Sequence, residues 1–435
     1  MVRVVIRNGW VPPHGAGATV LVEGRRISRV APPGEAITPM PGDWDVDADT
    51  RLVVPGLVDV HTDLAFGALV RLAGLPGRPP PTVADLRAGF RDPMAARATP
   101  AEVEPLTRAG ALAALRAGVT CAFDLVPGSP GRGPALLEAC ARAVESCGLR
   151  AALAFAARAG EGERVGPSDF ADAAAFARAA ESHPSVRGML GLTGLAEVPD
   201  AALAEAARHA PEIGLHATVA EDESDLAQVY ARWSRRPVEV LAARGLLGPR
   251  SLVAHGGTTT HTEAMVLADT GSTLAVAPRA AMFWAAPFPP VVPFAALGVR
   301  VAFGTDGLFP DVAGEAVAAA MMHRHSERSA RAAAGLVGRV AWPAAARLAS
   351  ELFGDTLGVL ESGALADVVV LDWRPPVPIP DVPAGDLAVL WAGAPAAWVI
   401  VDGEVRLREG RLLGGDEVRI AVEAREAASR LLAPR

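Results

Sequence analysis

Cysteine is scarce in this chain, which has three (Cys121, Cys140 and Cys147) among 435 residues and no Cys-x-x-Cys spacing. Three thiols cannot all pair, so the sequence indicates neither a disulfide framework nor a thiolate zinc site. Core packing is the role predicted for all three.

Other absences exclude whole classes of function. The net charge of -8 is mild and acidic and basic residues are interspersed, so the sequence has no basic stripe that could bind the phosphates of a nucleic acid. No signal-peptide core follows the first residues, and no uncharged apolar run reaches membrane-spanning length. A Gly-x-Gly-x-x-Gly turn is also missing, which disfavours dinucleotide binding. We expect a cytoplasmic protein that binds a small-molecule substrate, with no nucleic-acid partner and no membrane association.

The pattern of short apolar runs predicts an α/β fold with two parts. Strand-like alternation fills the first 55 residues and returns after residue 355, and we expect these two ends to form one small β-sandwich. Between them, at 56–355, strand-like runs alternate with Ala-rich helical stretches, as in repeated βα units. Eight such runs predict a closed TIM-like (β/α)8 barrel. They are LVDVHT, VTCAFDL, AALAFA, RGMLGLTG, IGLHATVA, SLVAHG, STLAVAP and VAFGTDG.

Titratable side chains recur at the ends of these predicted strands. Active sites of βα barrels lie at the carboxyl ends of the strands, so these positions are candidates for chemistry. They are His61 and Asp63 on the first strand, His216 and Thr218 on the fifth, His255 on the sixth and Asp306 on the eighth.

The segment VVPGLVDVHTD resembles the first-strand motif of the amidohydrolase superfamily, normally PGxxDxHxH. The segments GLHATVAEDESD, SLVAHG, VAFGTDG and LGVLESGALADVVVLD are similar to the triazine-hydrolase and guanine-deaminase branch of aminohydrolases. The resemblance covers almost the whole chain. It implies hydrolysis of a non-peptide C–N bond in a nitrogen heterocycle, by hydrolytic deamination, and a homo-oligomeric state that in many relatives is a homodimer.

The resemblance also implies roles for single residues. His61 is expected to bind a metal ion, Asp306 to bind it and to take a proton from water, and His255 to orient the substrate. Glu221 is expected to pass a proton to the leaving nitrogen. A bound divalent ion makes water more acidic, and a positioned carboxylate can then accept its proton.

Two departures from the family pattern put the metal site in doubt. Asp63 stands where the second histidine of His-x-His is usual, and Thr218 stands where the fifth strand normally has a histidine. His216 precedes Thr218 by two residues and therefore shares its strand face. We predict one divalent ion held by His61, Asp63, His216 and Asp306, with zinc or, because oxygen ligands are numerous, Mn, Fe or Mg.

Structural roles compete with several of these assignments. His216 could be a core histidine, Asp63 a cap of the first βα loop, and Glu221 part of an acidic first helical turn. Thr218 and Trp284 are candidate substrate contacts, the latter within the aromatic segment MFWAAPFPPVVPF, which could cover a flat ligand or wall the barrel.

Three functions remain open from the sequence. The first is a hydrolase with a modified metal site. The second is a metal-independent lyase, cyclase or isomerase in the same pocket, since proton transfer needs no ion. The third is a non-catalytic partner protein that has kept the barrel, because a fold does not guarantee a reaction.

Overall fold

The computed structural model describes residues 3–35, 37–74, 82–158, 164–333, 335–376 and 384–433. Its strands are β1 Arg3–Val11, β2 Gly15–Glu23, β3 Arg26–Ala31, β4 Trp44–Asp47, β5 Val53–Pro55, β6 Leu57–Thr62, β7 Val119–Gly128, β8 Arg150–Ala157, β9 Val186–Leu192, β10 Leu215–Val219, β11 Leu252–His255, β12 Thr273–Val276, β13 Arg300–Phe303, β14 Val368–Leu371, β15 Ala396–Val401, β16 Glu404–Arg408 and β17 Arg411–Leu412.

The α-helices are α1 Gly67–Val70, α2 Val83–Leu86, α3 Asp92–Arg97, α4 Pro100–Arg116, α5 Gly133–Cys147, α6 Pro167–Ala179, α7 Asp200–Ile213, α8 Glu223–Trp233, α9 Pro237–Ala243, α10 His261–Thr270, α11 Pro278–Phe283, α12 Val291–Ala296, α13 Val312–Ser326, α14 Trp342–Phe353, α15 Ala388–Trp391 and α16 Glu417–Leu432. Shorter helical turns of the 3-10 or π type span Arg71–Gly74, Arg87–Arg91, Leu195–Glu197, Leu336–Ala341 and Ala384–Leu387.

Strands β6 to β13 form one parallel sheet in sequential order, so all eight predicted barrel strands are confirmed. Their residues are almost all buried, as expected for parallel strands that are covered on both faces. The sheet closes just past β13, where the amides of Thr305 and Asp306 donate to the carbonyl of His61 on β6 at 2.8 and 2.9 Å. The predicted (β/α)8 barrel is therefore the fold.

Both ends of the chain contribute to the predicted sandwich. One sheet has the order β3-β2-β1-β4 and the other β17-β16-β15-β14-β5, and their facing side chains share one apolar cluster. The last helix, α16, lies apart from this cluster and packs on the barrel helix α4, with Arg430 paired to Glu102 at 2.9 Å. The three cysteines are buried and unpaired, as predicted. Among the described helices, none has the length and apolar character needed to cross a membrane.

Candidate metal centre and its pocket

The seam that closes the barrel also fixes the first candidate ligand. Asp59, inside β6, accepts from the amide of Thr305 at 3.1 Å and from its hydroxyl at 2.6 Å. Burial raises the pKa of Asp59 to about 7, although the bonds from Thr305 work against that shift. Because this buried carboxyl and the His61 carbonyl both bind the chain next to Asp306, the side chains of His61 and Asp306 are held at a fixed spacing.

Three donor atoms converge at the carboxyl ends of β6, β11 and β13. The Nε2 atoms of His61 and His255 lie 3.3 Å apart, and His61 Nε2 lies 3.4 Å from Asp306 Oδ1. All three atoms fall within 4.8 Å of one another. His255 and Asp306 have positive φ angles of 69° and 49°, a conformation that ordinary side chains adopt at an energetic cost and that clusters at functional sites.

This spacing fits a divalent metal ion. Ligands at about 2.0–2.1 Å from a tetrahedral centre stand about 3.3–3.4 Å from one another, which the two shortest separations match. Asp306 Oδ1 is buried and has no hydrogen-bond partner among the described residues, so an ion would satisfy an otherwise unpaired oxygen. Two imidazoles and one carboxylate also form a common catalytic zinc set, with a fourth position open for water.

His216 lies behind His61 and does not join the three converging donors. Its Nε2 is 2.8 Å from His61 Nδ1, and its ring is fully buried. Burial first, and then the neighbouring His61, hold the pKa of His216 well below its usual value, so the ring is neutral. If His61 Nδ1 donates to His216, His61 Nε2 is unprotonated and its lone pair faces the cluster. Hydrogen bonds of this kind commonly orient metal-binding histidines in proteins.

Asp63, which was predicted as a ligand, is held away from the cluster. Its Oδ1 accepts from the amide of Phe66 at 2.9 Å, and its Oδ2 pairs with Arg91 at 3.2 Å. Burial raises the pKa of Asp63 to about 6 even though Arg91 opposes the shift. The structure therefore brings together His61, His255 and Asp306, a set that differs from the one predicted by including His255 and leaving out Asp63 and His216.

Glu221 follows β10 and points toward the same centre. Its Oε1 lies 3.9 Å from His255 Nε2, and its Oε2 pairs with Arg87 at 2.9 Å. Burial alone would raise the pKa of Glu221, but the charges of Arg87, His255 and Arg91 together outweigh it, and the pKa is lowered. Thr218, on the preceding strand, donates its hydroxyl to Thr193 at 2.9 Å.

A small cavity of about 10 Å³, room for about one water, adjoins the cluster. Glu221, His255 and Asp306 form its polar side, and Trp284 and Phe288 stand on the apolar side with alanines of the loop after β12. The indole N–H of Trp284 is buried without a hydrogen-bond partner among the described residues. An acceptor atom on a flat apolar ligand would pair with this free donor.

Arg87 and Arg91 are functional candidates that the sequence reasoning missed. They lie four residues apart on the π turn that joins α2 and α3, and both reach into the mouth of the barrel. The sequence did contain a signal for them. Two arginines four residues apart follow the first barrel strand, in a stretch that covers the mouth of the barrel. Sequence spacing does not show that Arg91 pairs with Asp63 or that Arg87 pairs with Glu221, because the members of each pair are far apart in sequence.

A family model described as the amidohydrolase family matches residues 52–406. Among curated proteins, the chain is 28% identical over 450 residues to 5'-deoxyadenosine deaminase of Methanosarcina mazei, covering 100% of this chain and 99% of that one. It is 30% identical over 413 residues to 5-methylthioadenosine/S-adenosylhomocysteine deaminase of Halobacterium salinarum, covering 90% of each.

Two solved structures share the fold over nearly the whole chain. A zinc-bound adenosine deaminase of Xanthomonas campestris superposes with a TM-score of 0.83 at 22% identity, covering 99% of this chain and 98% of that one. The atrazine chlorohydrolase of Arthrobacter aurescens TC1, complexed with zinc, gives 0.79 at 21% identity and covers 98% and 100%.

Proposed function

The chain belongs to the amidohydrolase family, and from that premise we propose that it removes the amino group of an adenine nucleoside altered at its 5′ position. At the coarser level it is a hydrolase of non-peptide C–N bonds in nitrogen heterocycles that acts by hydrolytic deamination. The convergence of His61, His255 and Asp306 beside Glu221 and an aromatic-walled cavity supports this choice. The deaminases of Methanosarcina mazei and Halobacterium salinarum suggest the adenine ring as substrate.

We assign the metal ligands to His61 Nε2, His255 Nε2 and the Asp306 carboxylate. A divalent ion bound there, which we propose to be zinc, would lower the pKa of a water molecule in the open position. We assign to His216 the role of keeping His61 in the tautomer that binding requires, with the His216 Nε2 accepting from His61 Nδ1, 2.8 Å away.

Asp306 is suited to accept the proton of the attacking water. Burial would raise its pKa, but the neighbouring His61 and the charges of His255 and Arg91 outweigh that effect and lower it. The carboxylate is therefore ionised at neutral pH and free to take a proton.

Glu221 is the group we assign to proton delivery. It lies next to His255 and lines the same cavity, so a ring bound there would have its nitrogens within reach of this carboxyl. Net reaction requires one water: its oxygen bonds to the ring carbon, one of its protons goes to the amino nitrogen and the other ends on a ring nitrogen, and the C–N bond breaks to release ammonia. Trp284 and Phe288 hold the ring and exclude further water.

The test is a substrate panel with a base-deficient variant. Ammonia release is measured with 5′-deoxyadenosine, 5′-methylthioadenosine, guanine and an amino-triazine, on wild type and on Asp306→Asn. Deamination of the two nucleosides, lost in the variant, is expected. Asp372→Asn changes an exposed carboxylate whose ion-pair partner among the described residues is Arg51; it is the matched control and should keep full activity. Unchanged turnover in Asp306→Asn would remove the proposed base.

Chelation separates this function from metal-independent chemistry. The sequence has no lysine, so Schiff-base formation, one common route for metal-free lyases and isomerases, is not available to its side chains. We expect exhaustive chelation to abolish deamination and added zinc to restore it. Activity that survives chelation would favour the lyase or isomerase alternative, and a purified protein that neither binds metal nor turns over any of the panel would favour the non-catalytic one.

A further inference from the structure

The ring cavity is the small cavity that adjoins the three converging donors, between Glu221 and Trp284. Helix α11 forms much of its apolar wall, with Ala280, Ala281 and, at the end of the helix, Trp284. A helix of six residues is not stable by itself, because the cost of nucleation exceeds what its few hydrogen bonds return. The position of α11, and with it that of Trp284, is therefore fixed by contacts with the rest of the protein.

The first turn of α11 is capped by a side chain from another helix. Ala277, the residue that precedes α11, has a methyl side chain and cannot cap it. Glu315, on α13, takes this role instead. Its Oε2 accepts from the backbone N–H of Arg279 at 2.8 Å, and its Oε1 accepts from Arg279 Nε at 2.7 Å. Both oxygens of this fully buried carboxyl group are thus committed to the first turn of α11.

The guanidinium group of Arg279 also binds the loop that follows Asp306. Its Nη2 donates to the carbonyl of Phe309 at 3.3 Å and to that of Asp311. The guanidinium carbon lies 5.0 Å from the centroid of the Phe309 ring, in cation–π geometry. Phe309 in turn packs edge-on against Phe283 of α11, with the ring centroids 6.0 Å apart. Arg279 therefore joins α11 to the loop after β13 through both polar and aromatic contacts.

Helix α13 leaves room for this guanidinium group. Gly314 lies on α13, and a Cβ atom at that position would stand 2.5 Å from Arg279 Nη1. That distance is shorter than a van der Waals contact, so an alanine at this position would displace the guanidinium group. Glycine lowers the stability of a helix relative to alanine. Space for Arg279 is a structural reason for a glycine here.

We propose that Arg279, held by Glu315, is a positioning residue that places Trp284 against the ring of the substrate. This inference rests on the proposed function, because it describes how the same site binds its substrate. Arg279 is not among the described residues that line the ring cavity, so it acts through α11 and not on the substrate directly. The seam between β6 and β13 holds the metal ligand Asp306 without help from Arg279. Loss of Arg279 should therefore weaken ring binding and spare metal binding.

Deamination kinetics of the metal-loaded protein with 5′-deoxyadenosine test the proposal. We expect Arg279→Gln to raise KM about 10-fold, while kcat and zinc affinity change less than about 3-fold. Arg279→Lys should give an intermediate KM, because one ammonium group can pair with Glu315 or with the loop carbonyls but not with both. Gly314→Ala should also raise KM, although alanine favours a helix more than glycine does and the variant should be as stable as the wild type.

A double-mutant cycle shows whether Arg279 acts through Trp284. If it does, Arg279→Gln raises KM in the wild type but has little further effect in Trp284→Ala, because the contact that it positions is already gone. Changes in KM that add in full would overturn the proposal. An Arg279→Gln variant with the KM of the wild type would overturn it as well.

Arg236→Gln is the matched control. Arg236 pairs with Glu263 at 2.7 Å as Arg279 pairs with Glu315, and Glu263 is also fully buried and accepts from an amide in the first turn of a helix, that of Val238 in α9. Among the described residues that line the ring cavity, none belongs to α9 or to α10, which carries Glu263. The control should lose a similar amount of stability and keep its KM. A KM raised equally in both variants would refute a specific role for Arg279.

Fluorine NMR of protein labelled with 5-fluorotryptophan follows Trp284 without any substrate. The signal that is missing from Trp284→Ala identifies this residue among the eight tryptophans. It should shift in Arg279→Gln and Gly314→Ala and stay in place in Arg236→Gln, and a signal unshifted in the first two would overturn the proposal. If no nucleoside is turned over, the proposed function fails, and this spectrum alone decides whether Arg279 positions Trp284.

Discussion

The ligand assignment makes a prediction that separates His255 from Asp63. His255→Ala removes one of three converging donors, so metal affinity should fall by more than about 100-fold, beyond the usual cost of losing an outer hydrogen bond. His216→Phe removes only the partner of His61 Nδ1 and should cost about 10- to 100-fold. Asp63→Asn leaves all three donors in place and should change the affinity by less than about 10-fold.

Asp63→Asn should act on stability instead. The substitution keeps an oxygen for the Phe66 amide but leaves Arg91, whose side chain is 16% exposed, without its charge partner. A buried arginine without its carboxylate destabilises a protein by about 2–4 kcal/mol after allowance for its partial exposure. Asp124→Asn is the control, because the partner of this neighbouring buried carboxylate, within the part of the chain that the structure describes, is the uncharged amide of Leu64.

Competition with a chromophoric chelator measures the metal affinities, and urea unfolding measures the stabilities. The assignment is wrong if Asp63→Asn loses the ion while His255→Ala retains it. A stable Asp63→Asn variant with weakened metal binding would likewise show that this carboxylate is a ligand and that its pairing with Arg91 is secondary.

Three further results are expected. Arg87→Gln removes the largest of the charges that lower the pKa of Glu221, so the alkaline limb of the kcat profile, where a proton donor loses its proton, should move to higher pH; an unmoved limb would argue against proton delivery by Glu221. Trp284→Ala should raise KM about 10-fold or more with little change in kcat, measured by ammonia release. Burial raises the pKa of Glu315, paired with Arg279, from 4.5 to about 7. The folded state then binds the proton more tightly, so Glu315 contributes a loss of stability as pH rises through that window. The free energy of unfolding, measured by urea titration at a series of pH values, should depend less on pH in Glu315→Gln than in the wild type.

The fold was largely readable from the sequence because its signals are local. Each barrel strand is a short apolar run bounded by turn residues, and eight of them specify a closed barrel without any knowledge of distant contacts. The terminal sandwich was also predicted, since both ends alternate with period two. The position of α16 was not, because helical periodicity identifies an amphipathic face but not the surface that the face covers.

The site was less predictable because its geometry depends on side-chain direction. Strand position placed His61, His255 and Asp306 at one end of the barrel, and the structure brings them together. Spacing could not show that the Phe66 amide and Arg91 turn Asp63 aside, or that His216 lies one layer deeper, against His61. The cytoplasmic location and the homodimer remain predictions.

The closing seam of the barrel ties metal binding to the integrity of the whole β-sheet. His61 and Asp306 are about 250 residues apart in sequence. Two hydrogen bonds, from the amides of Thr305 and Asp306 to the carbonyl of His61, set the distance between them. An ion held by His61 and Asp306 would link the first and last strands of the barrel. Its removal should therefore speed amide exchange at Thr305 and Asp306 before it loosens any strand on the far side of the ring.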